Sequence, residues 1–403
     1  MSAKNIWVAV PTYWSYPTNK VGDEISIFDH PSALNSQGTL ARTLECFRHL
    51  TMDFHIVIVV AVSHPDLSSK AHKKVLPIAK PFTDNLSIYM VSPENLHLIN
   101  RHLEEPMLRL DSYENIRNVQ LAVPYAMGAD VVVGIDDDEI IEDSAYLEKV
   151  VRYIGKEYNG DFIGGLAGPY YDRNGSFQLE GAEQLNKSKN IFRKKNYFMN
   201  EALKKVMREA PLQGIVKSNV AFGGNMCMAR KTIEQICHDP FIPRGEDYDY
   251  VINAKMKGIN FYFQPDMKIT HLPPDSSGSQ SGDNMRKMIA DIQRFIYMRE
   301  KSKYHHKHYP EERIDIDYLM PYPGVYLDDR IELQREAIQC LDELYSEYRR
   351  QNSPEDFVKN AARLARNKTK EFFAYRDKWQ KLMPILEKNR TIQDVISQFK
   401  IKV

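Results

Sequence analysis

The sequence has few cysteines, no excess charge of either sign and no long apolar run. Its four cysteines are widely spaced and form no CxxC pair, which predicts reduced thiols rather than disulfides or a metal cluster. Lysine plus arginine and aspartate plus glutamate both number 54, so the net charge does not favour nucleic acid as a partner. The longest apolar run, residues 56–62, is far shorter than the ~20 residues of a transmembrane segment. With no signal-peptide pattern at the N-terminus, these absences predict a cytoplasmic, soluble protein.

Apolar runs that alternate with helical patterns are the main structural signal. Runs at residues 6–10, 54–62, 86–91 and 131–135 are rich in β-branched residues, as buried strands are. Helical patterns lie between them, for example near residues 69–78 and 113–127. This alternation predicts a mostly parallel α/β sheet flanked by helices. Ligands of such sheets bind beyond the carboxyl ends of the strands.

The strand predicted at residues 131–135 leads directly into a cluster of carboxylates. Asp136, Asp137 and Asp138 follow it without a break. In an extended segment Asp136 and Asp138 would project to one side and Asp137 to the other. Two carboxylates held that close repel each other unless a cation lies between them, so the cluster indicates a metal site. A solvated acidic turn is the alternative interpretation.

Further candidate site residues follow in the second half of the chain. A polar, lysine-rich segment, about residues 176–217, is interpreted as an insertion or lid beside the site, with a plain surface helix as the alternative. Residues 220–228 predict a strand in which Gly223 and Gly224 would let a ligand approach closely. Glu246 and Asp247 open a predicted helix, and a later strand ends at His271.

Taken in order, these pieces resemble the GT-A fold glycosyltransferases that use nucleotide sugars, most closely those of family 2. The resemblance covers about residues 6–275. The motifs that carry it are Val10-Pro11-Thr12-Tyr13, Arg117-Asn118, Asp136-Asp137-Asp138, Phe222-Gly223-Gly224-Asn225, Glu246-Asp247 and His271. It implies a Rossmann-like sheet and transfer of a sugar from a UDP- or GDP-linked donor to a hydroxyl group of a small molecule or glycan.

The resemblance also implies roles for individual residues. Asp136, Asp138 and His271 would hold a divalent metal, Mn²⁺ or Mg²⁺, and the imidazole tilts the expectation toward Mn²⁺. The residues implied to contact the nucleotide or diphosphate are Pro11, Thr12, Tyr13, Asp66, Arg117 and Asp137. Those implied to contact the substrate are Gly223, Gly224 and Asn225. Asp66 is included as a substitute, because this chain has Ser63-His64-Pro65 where the family has an acid after its second strand.

The chemistry of an inverting transfer needs a carboxylate that takes the proton of the acceptor hydroxyl, and Asp247 is the candidate base. Glu246 would bind the acceptor or orient its neighbour. Three alternatives stay open: a retaining enzyme that glycosylates a small acceptor such as glycerate or phosphoglycerate, a sugar-phosphate nucleotidyltransferase, and a non-catalytic calcium-binding protein.

The C-terminal part is expected to be helical and separate from the transferase domain. The expected division is a domain at residues 1–275 followed by a helical region at 276–403. Residues 275–283 are interpreted as a flexible lid or a linker, and residues 305–308 as a solvated basic turn. Helical patterns at about 330–351, 354–379 and 392–398 would pack on each other or form a homodimer. No chemistry is predicted there.

Overall fold

The computed structural model describes residues 4–17, 28, 31–273, 281–312, 314–347 and 353–402. Its strands are β1 (Ile6–Ser15), β2 (Ser32–Ala33), β3 (His55–Val62), β4 (Ser87–Val91), β5 (Val131–Gly134), β6 (Glu139–Ile140), β7 (Glu157–Tyr158), β8 (Asp161–Ala167), β9 (Tyr170–Tyr171), β10 (Val216–Lys217), β11 (Met226–Ala229), β12 (Asn260–Phe263) and β13 (Ile269–His271). Its α-helices are α1 (Leu40–Cys46), α2 (Ser68–Ala79), α3 (Pro93–Asn100), α4 (Tyr113–Ala126), α5 (Tyr146–Tyr153), α6 (Lys195–Gln213), α7 (Arg230–Gln235), α8 (Glu246–Met256), α9 (Ser281–His308), α10 (Gly324–Leu327), α11 (Leu333–Glu347), α12 (Pro354–Lys388) and α13 (Arg390–Ser397).

One mixed sheet forms the centre of the protein. Its main path has the order β10-β12-β8-β11-β5-β1-β3-β4, with β2 paired to β1 and β7 paired to β8. Strands β5, β1, β3 and β4 are parallel, as the alternation of strands and helices predicts, while β11 runs antiparallel to both of its neighbours. A second sheet, β6-β13-β9, lies over the carboxyl end of β5. The predicted fold class, a mostly parallel α/β sheet flanked by helices with an added helical C-terminal region, is confirmed.

The first strand is longer than expected, because it continues through Pro11 to Ser15. β1 pairs with β5 only over Ile6–Ala9, whereas its pairing with β3 continues to Trp14. The carbonyl of Ala9 accepts from the Ile135 N–H, so the odd-numbered backbone groups of β1 face β5. The missing N–H of Pro11 would point toward β5, but β5 has already ended at this level of the sheet. The proline therefore costs no hydrogen bond between strands.

The C-terminal helices pack on the same core as the sheet. A single buried cluster joins residues of the sheet and α4, such as Ala9 and Ile116, to Phe295 of α9 and Trp379 of α12. The indole N–H of Trp379 donates to the carbonyl of Ile233 in α7 at 2.8 Å. Whether the region folds separately stays a prediction, and so does the homodimer. The described residues contain no helix that could span a membrane.

Several local expectations were wrong in detail. Residues 305–308 form the last turn of α9 instead of a solvated turn, and His305 is fully buried with its Nε2 atom 3.2 Å from Glu312. The strand expected at 220–228 begins only at Met226, after a single 3₁₀ turn over Gly223–Asn225. All four cysteines are buried and free, as expected. Most of the segment interpreted as a lid, residues 274–280, lies outside the described residues.

Candidate active site

A cavity of about 270 Å³ lies at the carboxyl ends of β1 and β5. Of the candidate site residues, it brings together Tyr13, Arg117, Asp136, Asp137, Asp138, Gly223, Glu246, Asp247 and His271. They come from six separate elements or turns. The predicted location at the carboxyl edge of the sheet is therefore correct for most of the set.

Asp136 forms a two-pronged ion pair with Arg117 of α4. The Nη1 and Nη2 atoms of Arg117 donate to the two carboxylate oxygens of Asp136 at 2.7 and 3.0 Å. The Nε atom of Arg117 is 3.5 Å from Glu246, and the guanidinium is almost fully buried. Burial alone would lower the pKa of Arg117, but Asp136 and Glu246 outweigh it, so that the pKa is raised. Arg117 thus links the acidic turn to the start of α8.

Asp138 faces His271, which is far away in sequence. The second sheet brings them together, because β13 pairs with β6 and sets His271 opposite Glu139. The Nε2 atom of His271 lies 3.2 Å from Asp138 Oδ2, and the Leu272 N–H donates to the Asp138 carbonyl at 2.8 Å. Burial opposes the charged imidazole, but the hydrogen bond and charge of Asp138 raise the pKa of His271 above its usual value. The carboxylate and the imidazole are thus held side by side on the cavity wall.

Asp137 points away from Arg117 and toward β1. The hydroxyl of Thr12 donates to Asp137 Oδ2 at 2.6 Å, and both side chains are buried. Burial, reinforced by the charge of Asp138, holds the pKa of Asp137 well above its usual range. The three acids lie between β5 and β6 rather than on an extended strand, and Asp137 contacts Thr12 of β1 while Asp136 contacts Arg117. Thr12 and Asp137 therefore satisfy each other's hydrogen bonding within the cavity wall.

Two glycines bring the backbone against charged side chains. A Cβ atom on Gly223 would lie 2.7 Å from Arg117 Nη2, and one on Gly224 would lie 2.1 Å from the Glu139 carboxylate. Glu139 accepts from the Asp136 N–H at 2.7 Å, and the Tyr170 hydroxyl is 2.6 Å from the Gly224 nitrogen. Residues larger than glycine would separate this loop from the acidic turn.

Three other sequence-derived candidates, Pro11, Asp66 and Asn225, do not line the cavity. Asn225 is fully buried behind it, where its amide donates to the carbonyls of Pro169 and Met267. Asp66 lies in the 3₁₀ turn Pro65–Leu67 after β3 and accepts from the Tyr16 hydroxyl at 2.8 Å. Pro11 is buried within β1. Tyr13 lines the cavity, but its ring is packed against Phe28 and Tyr113, at centroid distances of 4.6 and 5.2 Å.

Glu246 and Asp247 occupy the first turn of α8, where the helix dipole favours negative charge. Burial and the neighbouring Asp247 nevertheless raise the pKa of Glu246 to about 7. Burial also raises the pKa of Asp247, although its carboxylate accepts from the Tyr248 N–H at 2.7 Å. A carboxylate with a raised pKa is a stronger base, which general base catalysis near neutral pH requires.

Sequence reasoning missed the opposite wall of the cavity. Lys195 of α6 and Arg294 of α9 line it, and both contact Asp291, at 2.6 and 3.3 Å. Arg294 also donates to the Tyr322 hydroxyl at 2.6 Å and is 4% exposed. Arg294 and Tyr322 both precede Asp328, so the three later helices, for which no chemistry is expected, are not part of this wall. A signal existed, because Asp291, Arg294 and Lys301 recur at helical spacing among the apolar residues of α9.

The sequence matches no protein-family model and no curated protein sequence. Among solved structures, the chain is similar to the mannosyltransferase PcManGT from Pyrobaculum calidifontis in complex with GDP-Man and Mn²⁺, with 12% identity, a TM-score of 0.46, and 96% of this chain and 88% of that chain covered. It is also similar to GalNAc-T7 with UDP, GalNAc and Mn²⁺, with 13% identity, a TM-score of 0.40, and 89% and 56% covered. A third similar structure is glucosyl-3-phosphoglycerate synthase from Mycobacterium tuberculosis in complex with Mn²⁺ and UDP-glucose, with 13% identity, a TM-score of 0.35, and 72% and 79% covered.

The donor atoms at the acidic turn suit a divalent metal only in part. Within the described part of the chain, no group of three or more His, Cys, Asp or Glu side chains is arranged to hold an ion. Asp138 and His271 form an adjacent pair of oxygen and nitrogen donors, while Asp136 is occupied by Arg117. Such a pair fits an ion whose other ligands are water and phosphate oxygens, as is common for Mg²⁺.

Proposed function

We propose that this chain is a metal-dependent glycosyltransferase, which moves a sugar from a UDP- or GDP-linked donor to the hydroxyl group of a small molecule or glycan. One observation carries the proposal. The Asp138–His271 pair and the Glu246–Asp247 pair face the same cavity at the carboxyl edge of the sheet, although Asp138 lies more than 100 residues before the other three in the sequence. A site with metal ligands on one side and a basic carboxylate on the other suits the transfer of a glycosyl group.

Asp138 and His271 are the proposed metal ligands, with Asp136 as the third side chain that sequence reasoning assigns to the ion. A divalent ion bound there would neutralise the charge that develops on the diphosphate leaving group. Nitrogen and oxygen donors together suit Mn²⁺ better than Mg²⁺. The two-pronged hydrogen bonds of Arg117 fix the orientation of Asp136 on the cavity wall.

Asp247 is the proposed general base of an inverting reaction. It would accept the proton of the acceptor hydroxyl as that oxygen attacks the anomeric carbon of the sugar. The raised pKa supports this role, and the hydrogen bond from the Tyr248 N–H fixes the carboxylate. Glu246, held by Arg117, would orient the acceptor beside it.

The geometry favours this function over the two other classes considered. A sugar-phosphate nucleotidyltransferase would need a glycine-rich loop after the first strand, whereas β1 continues to Ser15 without a glycine. A calcium-binding scaffold would need only the acids of the turn, Asp136, Asp137 and Asp138, to bind its ion. It would give no reason for Asp247, with its raised pKa, to share a cavity with them.

A donor-hydrolysis screen tests the proposal. The purified chain is incubated with a panel of UDP- and GDP-linked sugars, with Mn²⁺ and with excess EDTA, and nucleotide release is measured. We expect release from at least one donor, and we expect EDTA to abolish it. Release from no donor, or release of equal rate in EDTA, would contradict the proposal. The anomeric configuration of the first product, measured by NMR, then tests the inverting outcome.

A further inference from the structure

A side pocket of about 130 Å³ opens off the active-site cavity. The two share five wall residues, namely Tyr170, Met199, Phe222, Tyr248 and His271. The outer wall of the side pocket comes from the segment around residues 171–179 and from α6. A group bound there would be continuous with a molecule bound in the main cavity.

The walls of the side pocket are largely aromatic and aliphatic. Tyr170 and Phe222 stack with their ring centroids 4.6 Å apart. Tyr171 and Phe177 meet edge to face at 6.1 Å on the outer side. Leu203 of α6 adds an aliphatic surface. Aromatic and aliphatic surfaces of this kind bind flat apolar faces by van der Waals contact.

Two polar side chains of the pocket, Asp172 and Asn200, form hydrogen bonds with the backbone of the pocket wall. Asn200 of α6 accepts from the Leu179 N–H at 2.9 Å and donates to the Leu179 carbonyl at 3.1 Å. Asp172 accepts from the backbone N–H groups of Asn174 and Ser176, both at 2.8 Å. These bonds fix residues 172–179 against α6, so the pocket is preformed and its binding surface is mainly apolar.

We propose that the side pocket binds a six-membered ring of the acceptor, next to the hydroxyl group that receives the sugar. The inference rests on the proposed function and adds the class of acceptor. The volume of about 130 Å³ is close to that of an engineered protein cavity of about 150 Å³ that binds benzene. The ring is either aromatic or the apolar face of a pyranose, since both present the same flat surface. The segment at about residues 176–217, interpreted from the sequence as an insertion or lid, supplies part of this wall and thereby gains a role in specificity.

Three acceptor probes test the inference: benzyl alcohol, methyl glucopyranoside and ethanol, which has a hydroxyl group but no ring. Transfer is measured by mass spectrometry with a donor that the enzyme hydrolyses. We expect at least one ring-bearing probe to exceed ethanol in kcat/KM by about tenfold or more, since burial of even small apolar groups gives discrimination of this size. The better ring probe identifies which kind of ring is bound.

Two variants test whether the preference for ring-bearing acceptors arises in the side pocket. Leu203→Trp fills it and should reduce the preference for the ring to within about threefold, while Phe177→Ala widens it and should weaken the preference several-fold. Neither residue lines the main cavity, so donor hydrolysis should stay unchanged. Leu364→Trp, at an exposed position of α12, is the matched control for the added indole.

The outcomes separate this inference from the proposed function. Equal transfer to all three probes, or a ring preference that both variants retain, would overturn the inference while donor hydrolysis still supports a glycosyltransferase. Ligand-detected NMR of benzyl alcohol and methyl glucopyranoside needs no donor. If neither probe binds the wild type more tightly than Leu203→Trp, the ring pocket is rejected even if no donor is turned over.

Discussion

The two walls of the active-site cavity differ in chemistry and in origin. The acidic wall consists of Asp136, Asp138 and His271, which lie at strand ends and turns of the two sheets. The helical wall consists of Lys195, Arg294 and Tyr322, which lie on α6, on α9 and just before α10. Asp247 stands between them at the start of α8. The comparison teaches that α6 and the helical region after the last strand line the cavity as well as covering the core.

The largest effect is expected at Asp247, where the two walls meet. Asp247→Asn keeps the shape of the side chain and can still accept from the Tyr248 N–H, but it cannot take a proton. We expect turnover to fall by up to roughly 10,000-fold while nucleotide-sugar binding survives. Steady-state kinetics and calorimetry measure the two quantities. Near-normal turnover would reject Asp247 as the base, and Asp377→Asn on the exposed side of α12 is the control.

A second variant tests whether the buried charges behind the helical wall stabilise the folded state. Lys301 of α9 is buried between Asp239 and Asp249, at 2.8 and 2.5 Å. Lys301→Met leaves two buried carboxylates without their cation, so we expect the free energy of unfolding to fall by about 3–5 kcal/mol. Urea unfolding measures the change. Lys303→Met, which removes an exposed ion pair with Asp329, should change it by less than about 1 kcal/mol. Similar losses for both variants would contradict this view.

A third variant tests the helical wall itself. Arg294→Gln removes the guanidinium that contacts Asp291 and Tyr322 at the cavity. If this wall orients the substrates, kcat/KM should fall by about 100-fold, since displacement of bound groups by about 1 Å has effects of this size. Arg376→Gln is the matched control, because Arg376 is also buried but lies outside the cavity. Equal kinetic losses in both variants would mean that Arg294 acts only through stability.

The last effect concerns pH and Glu114, a buried acid of α4 that interacts with Glu246. Burial and the charge of Glu246 raise the pKa of Glu114 from 4.5 to about 8. Between these two values the folded state binds the proton and the unfolded state does not, so stability falls as pH rises. The contribution is about 1.4 kcal/mol per pH unit. Glu114→Gln should remove it, so that thermal unfolding profiles at pH 5 and pH 8 differ less than in the wild type. An unchanged pH dependence would contradict the raised pKa.

The sheet and the turn that carries Asp136 and Asp138 were predictable because their signals are local. The β-branched run before Asp136 predicts a buried strand, and a parallel sheet puts its carboxyl end at the ligand edge. The helical wall was not predictable in the same way. Arg294 lies one turn from Asp291 on α9, but Lys195 is nearly 100 residues away in the sequence, and only the tertiary fold brings it to Asp291.

Some residue roles also depended on contacts that spacing does not reveal. Arg117 was expected to reach the nucleotide, but in the structure its guanidinium is bound to Asp136 and Glu246. Asn225 follows the glycines in sequence, yet its side chain turns into the core and holds two backbone carbonyls. A motif therefore indicates which segments approach a site, and side-chain packing decides which atoms face it.

Metal-dependent nucleotide binding is the most direct test of the central claim. UDP and GDP are titrated by calorimetry into the wild type and into Asp138→Asn, with and without Mn²⁺. The account predicts that Mn²⁺ tightens binding of one nucleotide to the wild type by at least about tenfold, and that Asp138→Asn loses this gain. Nucleotide affinity that is the same with and without Mn²⁺ in the wild type would contradict the account.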